Sequence, residues 1–397
     1  MKRFLRMATR LIMKQFGIVT VLIVLIMTLA CSSGKDHNSN ETYNFSTFKV
    51  KRPAISHFSE CGEIKKGIKL ETSDKSVFGS IGRLLIDKKT GDILIGDFDS
   101  KKMVLRFNQE GRFLTTYGKI GNGPQEYQRL IDFGIADNGD IILLASPKLI
   151  KFSSSGTFLL EKKLDIGAHN IEIIKEKIYL SVFHYRNKRR EKKAIQMYDL
   201  FLTNIGGIGQ YEERFEKYVF SGSRTIASSQ NLLYFTDSYD LGLNTYDLTT
   251  QKISHLRIPN NNSVLDSVWE KKHFIEADMT EIKKRLNFFS IIFPMENNLI
   301  LSENHREKKV FDLWRLNLEK KEAIIYSNFC FYKKKEGKEK KQLFFSQIAG
   351  TDKNTVIAVF FDPEDFNKYK NDYPALKDIE FKFDDNPILA FYEFNEK

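Results

Sequence analysis

The residues best equipped for chemistry are scattered. His169, His184, His305, Asp237 and Glu303 stand near the ends of short apolar runs far apart in the chain. If folding brings those run ends together, imidazoles and carboxylates would rim one cavity. Three or four of them meeting about 2.0–2.5 Å from a common point would hold a divalent metal. Such a centre would suit a metal-dependent lyase or lactonase. Arg83 and Arg224, near the starts of other runs, would instead favour an anionic ligand, because a guanidinium offers a rigid fork of donors. No H-E-x-x-H helix, nucleophile elbow or paired-carboxylate motif occurs. No catalytic residue, metal or cofactor is therefore assigned, and histidines standing separately at the surface are the plainer reading.

Charge is concentrated elsewhere. Residues 186–193 (RNKRREKK) carry six basic side chains, Arg186 and Arg189 among them, against one Glu. Residues 333–341 (KKKEGKEKK) carry six against two. Two readings apply: a site for an anionic glycan or an acidic protein, or solvated loop tips. Residues 362–386 hold eight acidic and four basic residues, with Phe366, Tyr369 and Tyr373 interleaved. Residues 259–287 show helical spacing at Val264, Leu265, Val268 and Trp269. Asp278 followed by Glu281 makes a capping box, so a small helical insertion is expected there.

The elements that must position these residues read as strands. Within residues 80–127, apolar residues bunch or alternate over 81–86, 92–96, 103–107 and 112–117, with turn chemistry at Thr90-Gly91-Asp92 and Gln109-Glu110-Gly111. A four-stranded antiparallel meander that recurs is the unit of a β-propeller. It recurs six times. The second strands are marked by Gly91-Asp92-Ile93, Gly139-Asp140-Ile141, Lys177-Ile178-Tyr179, Asn231-Leu232-Leu233, Asn298-Leu299-Ile300 and Asn354-Thr355-Val356. The third strands usually end in an aromatic before a small polar residue, as at Phe107-Asn108, Phe152-Ser153, Tyr198-Asp199, Tyr246-Asp247 and Phe394-Asn395, with Leu316-Asn317 the exception. The expected fold is all-β, a six-bladed propeller of four-stranded antiparallel blades. The sixth copy runs out after its third strand. The alternating run 43–51 (YNFSTFKVK) is the strand expected to complete blade six and close the ring.

The blade pattern resembles NHL-type propellers. The run Gly118, Gly121, Gly123, Pro124, Glu126, Tyr127 resembles the G-x-x-G-x-G-P-x-E-Y signature of six-bladed β-propeller lipoproteins, an exported family. A worn copy covers residues 205–212. The resemblance spans residues 42–397, is sharpest in the first two blades, and implies a fold but no catalytic residues. Physically, Gly-x-Gly can cradle phosphate where it opens a helix. Here another strand follows, so a tight blade-to-blade connection is expected, with Tyr127 plugged between blades.

The chain has 397 residues, 42% hydrophobic and 13% aromatic, enough to bury a large core. At its start, Lys2, Arg3, Arg6, Arg10 and Lys14 precede an apolar run, 17–30, and then Cys31. This layout resembles a bacterial lipoprotein signal, with Cys31 as the lipidated residue. The expected boundaries are a signal peptide at 1–30, a tether at 31–41 and the propeller at 42–397. An uncleaved membrane anchor is the alternative. Losing residues 1–30 removes five basic residues and no acidic ones, taking the net charge from +11 to +6. A nucleic-acid partner is not expected for so mildly basic an exported chain. Beyond Cys31, only Cys61 and Cys330 remain, too few for a disulfide scaffold.

In such a meander, second-to-third loops and blade-to-blade connections share one side of the disc. The long, charged segments all fall there, and long loops on a rigid scaffold are where binding usually resides. The functional expectation is a lipid-anchored binding module of the cell envelope, expected at the outer membrane, for a glycan, peptide or protein partner. The enzyme described above is the alternative.

Overall fold

The computed structural model describes residues 41–53, 58–182, 193–210, 224–236, 241–258, 287–305, 310–326 and 347–395. Six antiparallel sheets follow one another in chain order. Blade one comprises Arg83–Ile86, Ile93–Asp97, Met103–Phe107 and Phe113–Tyr117, close to the expected bounds. Blade two is Arg129–Ile135, Ile141–Ser146, Lys148–Phe152 and Phe158–Lys163; blade three is Ala168–Ile174, Lys177–Val182, Lys193–Asp199 and Asn204–Gln210. Blade four is Ile226–Ser229, Leu232–Thr236, Gly242–Asp247 and Ile253–Arg257; blade five is Asn287–Pro294, Leu299–His305, Val310–Asn317 and Glu322–Tyr326. Blade six joins Gln347–Asp352, Thr355–Phe360 and Ile388–Phe394 to Gly62–Lys69 from the other end of the domain.

The repeated residues have identifiable jobs. Second strands are buried on both faces, as Ile93–Asp97 and Thr355–Phe360 are, which is why they read as unbroken apolar runs. In blades one to five, the small polar residue that ends or follows the third strand caps the next hairpin. Asn108 Oδ1 accepts from the amides of Glu110 and Arg112 at 3.1 and 2.8 Å. Asp199 Oδ1 accepts from Phe201 and Thr203, and Asp247 Oδ1 from Thr249 and Thr250. These are local side-chain turns that free the chain to reverse without a helix.

Ring closure differs from expectation in its strand. The outer strand of blade six is Gly62–Lys69, antiparallel to Ile388–Phe394 with Phe394 opposite Gly62 and Ile388 opposite Lys69. Residues 43–51 do not supply it. A short 3-10 turn, Phe45–Thr47, breaks that run in two. The pieces, Glu41–Asn44 and Lys49–Lys51, add as parallel fifth strands to the outer edges of blades four and five. The alternation read in the sequence belongs to this belt: Phe48 is buried, and Phe45 lies against Phe48 and Trp314.

The insertion at 362–386 contains the one helix among the described residues, Pro363–Tyr369. Asp362 caps it, accepting from the amides of Glu364 and Asp365. Phe366, Leu376 and Phe381 are buried in the same apolar cluster as the strands of blades five and six. Asn386 ends the segment, buried, accepting from Phe78 N and donating to the carbonyls of Glu71 and Ser76. Far from standing free, this acidic segment clasps the closure blade. The helical insertion expected at 259–287 lies almost wholly outside the described residues.

Candidate functional site

The innermost strands of blades two, three, five and six each carry a bulge at the same point, between Leu130 and Asp132, Ala168 and Asn170, Phe289 and Ile291, and Ile348 and Gly350. A bulge re-aims the residues beside it. In blades two and three it leaves Asp132, Asn170 and Glu172 meeting residues of neighbouring blades.

There Arg83 ties three blades together. Its side chain is 3% exposed. Nη1 donates to Asp132 Oδ1 at 3.1 Å, to the Ile171 carbonyl at 2.7 Å and to the Phe133 carbonyl. Nη2 donates to Glu172 Oε2 at 2.7 Å. Arg224, just ahead of the first strand of blade four, donates from Nη2 to the same Glu172 oxygen at 3.0 Å. Ser228 Oγ donates to Glu172 Oε1, and the Ile171 amide to Asp132 Oδ2. Two guanidiniums thus face two carboxylates with no net charge. Burial, and next the neighbouring Arg83 charge, bring the Arg224 pKa down to about 10, against the attraction of Glu172 and Asp132. Arg83 and Arg224 are brought together as a pair, but in the interior and with their charges already matched. Asp132 and Glu172 were not singled out from the sequence. Their signal was there: each is a lone carboxylate in an otherwise apolar strand, Leu130-Ile131-Asp132-Phe133 and Ile171-Glu172-Ile173.

Beside this quartet lies a hydroxyl cluster. His169 Nε2 is 2.9 Å from both Thr225 Oγ1 and Ser181 Oγ. Asn170 Oδ1 accepts from the Thr225 amide and hydroxyl at 3.0 and 3.1 Å. Ser181, Thr225 and His169 thus form a hydrogen-bonded triangle at the joint of blades three and four.

The other candidates lie elsewhere. Glu303 is buried in blade five, accepting from Trp314 Nε1 at 2.6 Å. His305 ends the same strand. His184, Arg186, Arg189 and Asp237 lie outside the described residues, as does Cys31. Among the described residues, no group of three or more His, Cys, Asp or Glu side chains is placed to hold a metal ion.

The glycine-rich run is a self-contained knot. Lys119–Ile120 pairs in parallel with Glu126–Tyr127. The Glu126 carboxylate accepts from the Gly123 amide at 3.0 Å and from Lys119 Nζ at 2.6 Å. Its lysine partner, helped by the Gly123 amide, holds its pKa below the ordinary range. A Cβ on Gly121 would meet Glu126 Oε2, so the carboxylate would have to move from its place against the loop. Gly118 takes φ 95° and lies against the Tyr127 ring. Tyr127 is buried and donates to the Lys102 carbonyl at 2.6 Å, sealing blade one to blade two. The space that would cradle a phosphate is filled by the loop's own carboxylate.

A second ion cluster, also missed in the sequence, marks the opposite side. Arg106 donates from Nε to Asp92 Oδ2 at 2.7 Å and from Nη2 to Asp87 Oδ2 at 2.8 Å, with Tyr117 and the Ser154 carbonyl beyond. Blade two repeats it in reduced form, with Lys151 Nζ 3.0 Å from Asp140. In blades one and two, the Asp of the Gly-Asp signature and the basic residue before the third-strand aromatic are therefore partners.

Solved structures of low identity share this architecture. A Bacteroides fragilis protein named for its expected export has 16% identity and TM-score 0.67, covering 87% of this chain and 99% of its own. A member of the DUF4221 family from Bacteroides vulgatus has 9% identity and TM-score 0.51, covering 84% of this chain and 98% of its own. No curated protein matches the sequence. A family model described as a domain of unknown function matches residues 46–393, most of the propeller, and the chain belongs to that family, DUF4934.

Proposed function

We propose that the protein is an extracytoplasmic, lipid-anchored propeller that binds a glycan, a peptide or an envelope partner through the side bearing its long connections. One observation carries this reading. The strand ends that flank residues 183–192, 211–223, 259–286 and 327–346 fall on one side of the ring by the antiparallel order of the blades. The opposite side joins strands by tight turns such as those capped by Asn108, Asp199 and Asp247. The innermost strands beneath are held by the Arg83–Asp132–Glu172–Arg224 ion quartet, so the loops rest on a rigid base. The basic leader ahead of Cys31, and the export expected of the Bacteroides fragilis neighbour, support the address.

Thermal-shift and metal analysis of the full chain in detergent test the reading. A rise in melting temperature with sulfated or carboxylated glycans, lost when the basic residues of 186–193 are neutralised, is the expected result. Stoichiometric metal, removed by EDTA together with part of the melting temperature, would replace it with the lyase or lactonase. Cys31→Ser should abolish metabolic lipid labelling; a variant still labelled would refute the anchor.

A further inference from the structure

The outer edges of the blades are finished in different ways. Blades four and five carry the parallel belt strands Glu41–Asn44 and Lys49–Lys51. Blade six ends on Gly62–Lys69, with Lys69 Nζ bonded to Asp385 and the Glu380 carbonyl of the insertion. In blade one, Glu71 meets the edge: its amide donates to Gly111 O at 2.8 Å, and its carboxylate accepts from Phe113 N at 3.1 Å. Blade two's outer strand, Phe158–Lys163, finishes in Glu161-Lys162-Lys163, and Glu161 accepts from Lys148 and the Gln125 amide. Covering segments and charged side chains are the usual means of keeping sheet edges from pairing.

Among the described residues, blade three has neither. Asn204–Gln210 is the last strand of its sheet, and no charged residue occurs between Asp199 and Gln210. Gly206 and Gly209, at φ 122° and 66°, bend the strand without covering it. Two large apolar side chains stand in solvent on this hairpin, Phe201 at 82% exposure and Ile205 at 43%.

We infer that this edge is a docking strand. Its occupant is an extended segment of a partner protein, apolar at alternate positions, that adds to blade three as a parallel fifth strand. The inference rests on the interaction-module reading and names the surface and the partner's conformation. The molecule's own belt argues for the occupant, because the next edge around the ring, blade four, already receives such a strand. The repeat also supplies the register. Asn204 pairs with Tyr198 at the end of the third strand, as Ile253 pairs with Tyr246 in blade four. Ile205 bulges out of that ladder, and Gly206, which pairs with Met197, is the counterpart of Ser254, the residue at which Glu41 begins the belt. Main-chain hydrogen bonds supply affinity in such an addition, and side chains such as Ile205 and Phe201 supply selectivity.

The probe is a synthetic peptide of residues 41–51, the segment that pairs with outer strands in this fold, added to the full chain. Hydrogen exchange resolved to Asn204–Gln210 is the readout. Exchange there should slow several-fold with peptide. It should not slow in a Phe201→Ser, Ile205→Lys double variant whose melting temperature matches the parent. No slowing, slowing confined to blades four and five, or slowing that survives in the variant each overturns the inference. So does concentration-dependent protection of this strand without peptide together with a dimer in sedimentation, since the occupant is then a second copy. A chain that ignores the peptide yet shifts with acidic glycans loses the docking strand and keeps the broader function.

Discussion

Arg83 and Arg224 donate to one and the same oxygen of Glu172, at 2.7 and 3.0 Å, from blades that are not neighbours in the ring. Glu172 on blade three thus bridges a cation of blade one and a cation of blade four. Removing one member of a buried pair is costly because the partner charge is left without compensation.

Arg83→Leu leaves Asp132 buried without a guanidinium and Glu172 with Arg224 alone as its ion partner. The expected loss of unfolding free energy is about 3–5 kcal/mol, the range for breaking a buried ion pair. Chemical denaturation measures it; a loss no larger than that of an exposed arginine variant would remove the quartet from its structural role.

Asn386 holds the insertion to the blade connection through Phe78 N and the carbonyls of Glu71 and Ser76. Asn386→Ala should cost about 2–3 kcal/mol, because buried backbone groups lose their partners. Proteolysis under native conditions should cut residues 362–386 faster in the variant than in the parent.

Gly121→Ala should lower the melting temperature slightly, because the Glu126 carboxylate must leave its place against the loop. The clash is with the Glu126 carboxylate, so Gly121→Ala with Glu126→Ala should recover part of the melting temperature lost by Gly121→Ala alone. Equal losses in the single and double variants would place the strain elsewhere.

Asp97 titrates unusually low. Burial opposes its charge, but hydrogen bonds from Ser100, the Gly79 amide and Ser80 outweigh it and hold the pKa down from 3.8 to about 2. A carboxylate depressed in the folded state adds stability above its unfolded value and loses it as pH falls through the folded value. The melting-temperature gap between the parent and Asp97→Asn should therefore be full near neutrality and shrink between about pH 4 and pH 2. A gap unchanged over that window would contradict the assignment.

The fold was readable because it is written six times. Most copies repeat a doubly buried second strand and an aromatic followed by a turn-capping polar residue, and both follow from local chemistry. Closure was misread because alternation in residues 43–51 says that a strand forms, not which edge it joins. Gly62–Lys69, with Ile64 and Ile68 buried among charged neighbours, gave a weaker pattern. The candidate site was half readable. Arg83, His169 and Arg224 were found by position, whereas Asp132 and Glu172 matter through bulges and inter-blade distances that no local pattern encodes. Arg106 was overlooked although its partner, Asp92, sits inside the repeat signature itself.

The belt has a consequence for how the molecule comes into being. Synthesis delivers Glu41–Lys69 first, yet these residues pair with strands between Ile253 and Phe394. Glu41–Asn44 waits for blade four, Lys49–Lys51 for blade five and Gly62–Lys69 for blade six. Until then, the outer edges of blades four to six stand bare. Contacts this distant in sequence make for slow assembly and an interval of vulnerability to aggregation. The nascent propeller is thus an open arc until Gly62–Lys69 meets Ile388–Phe394.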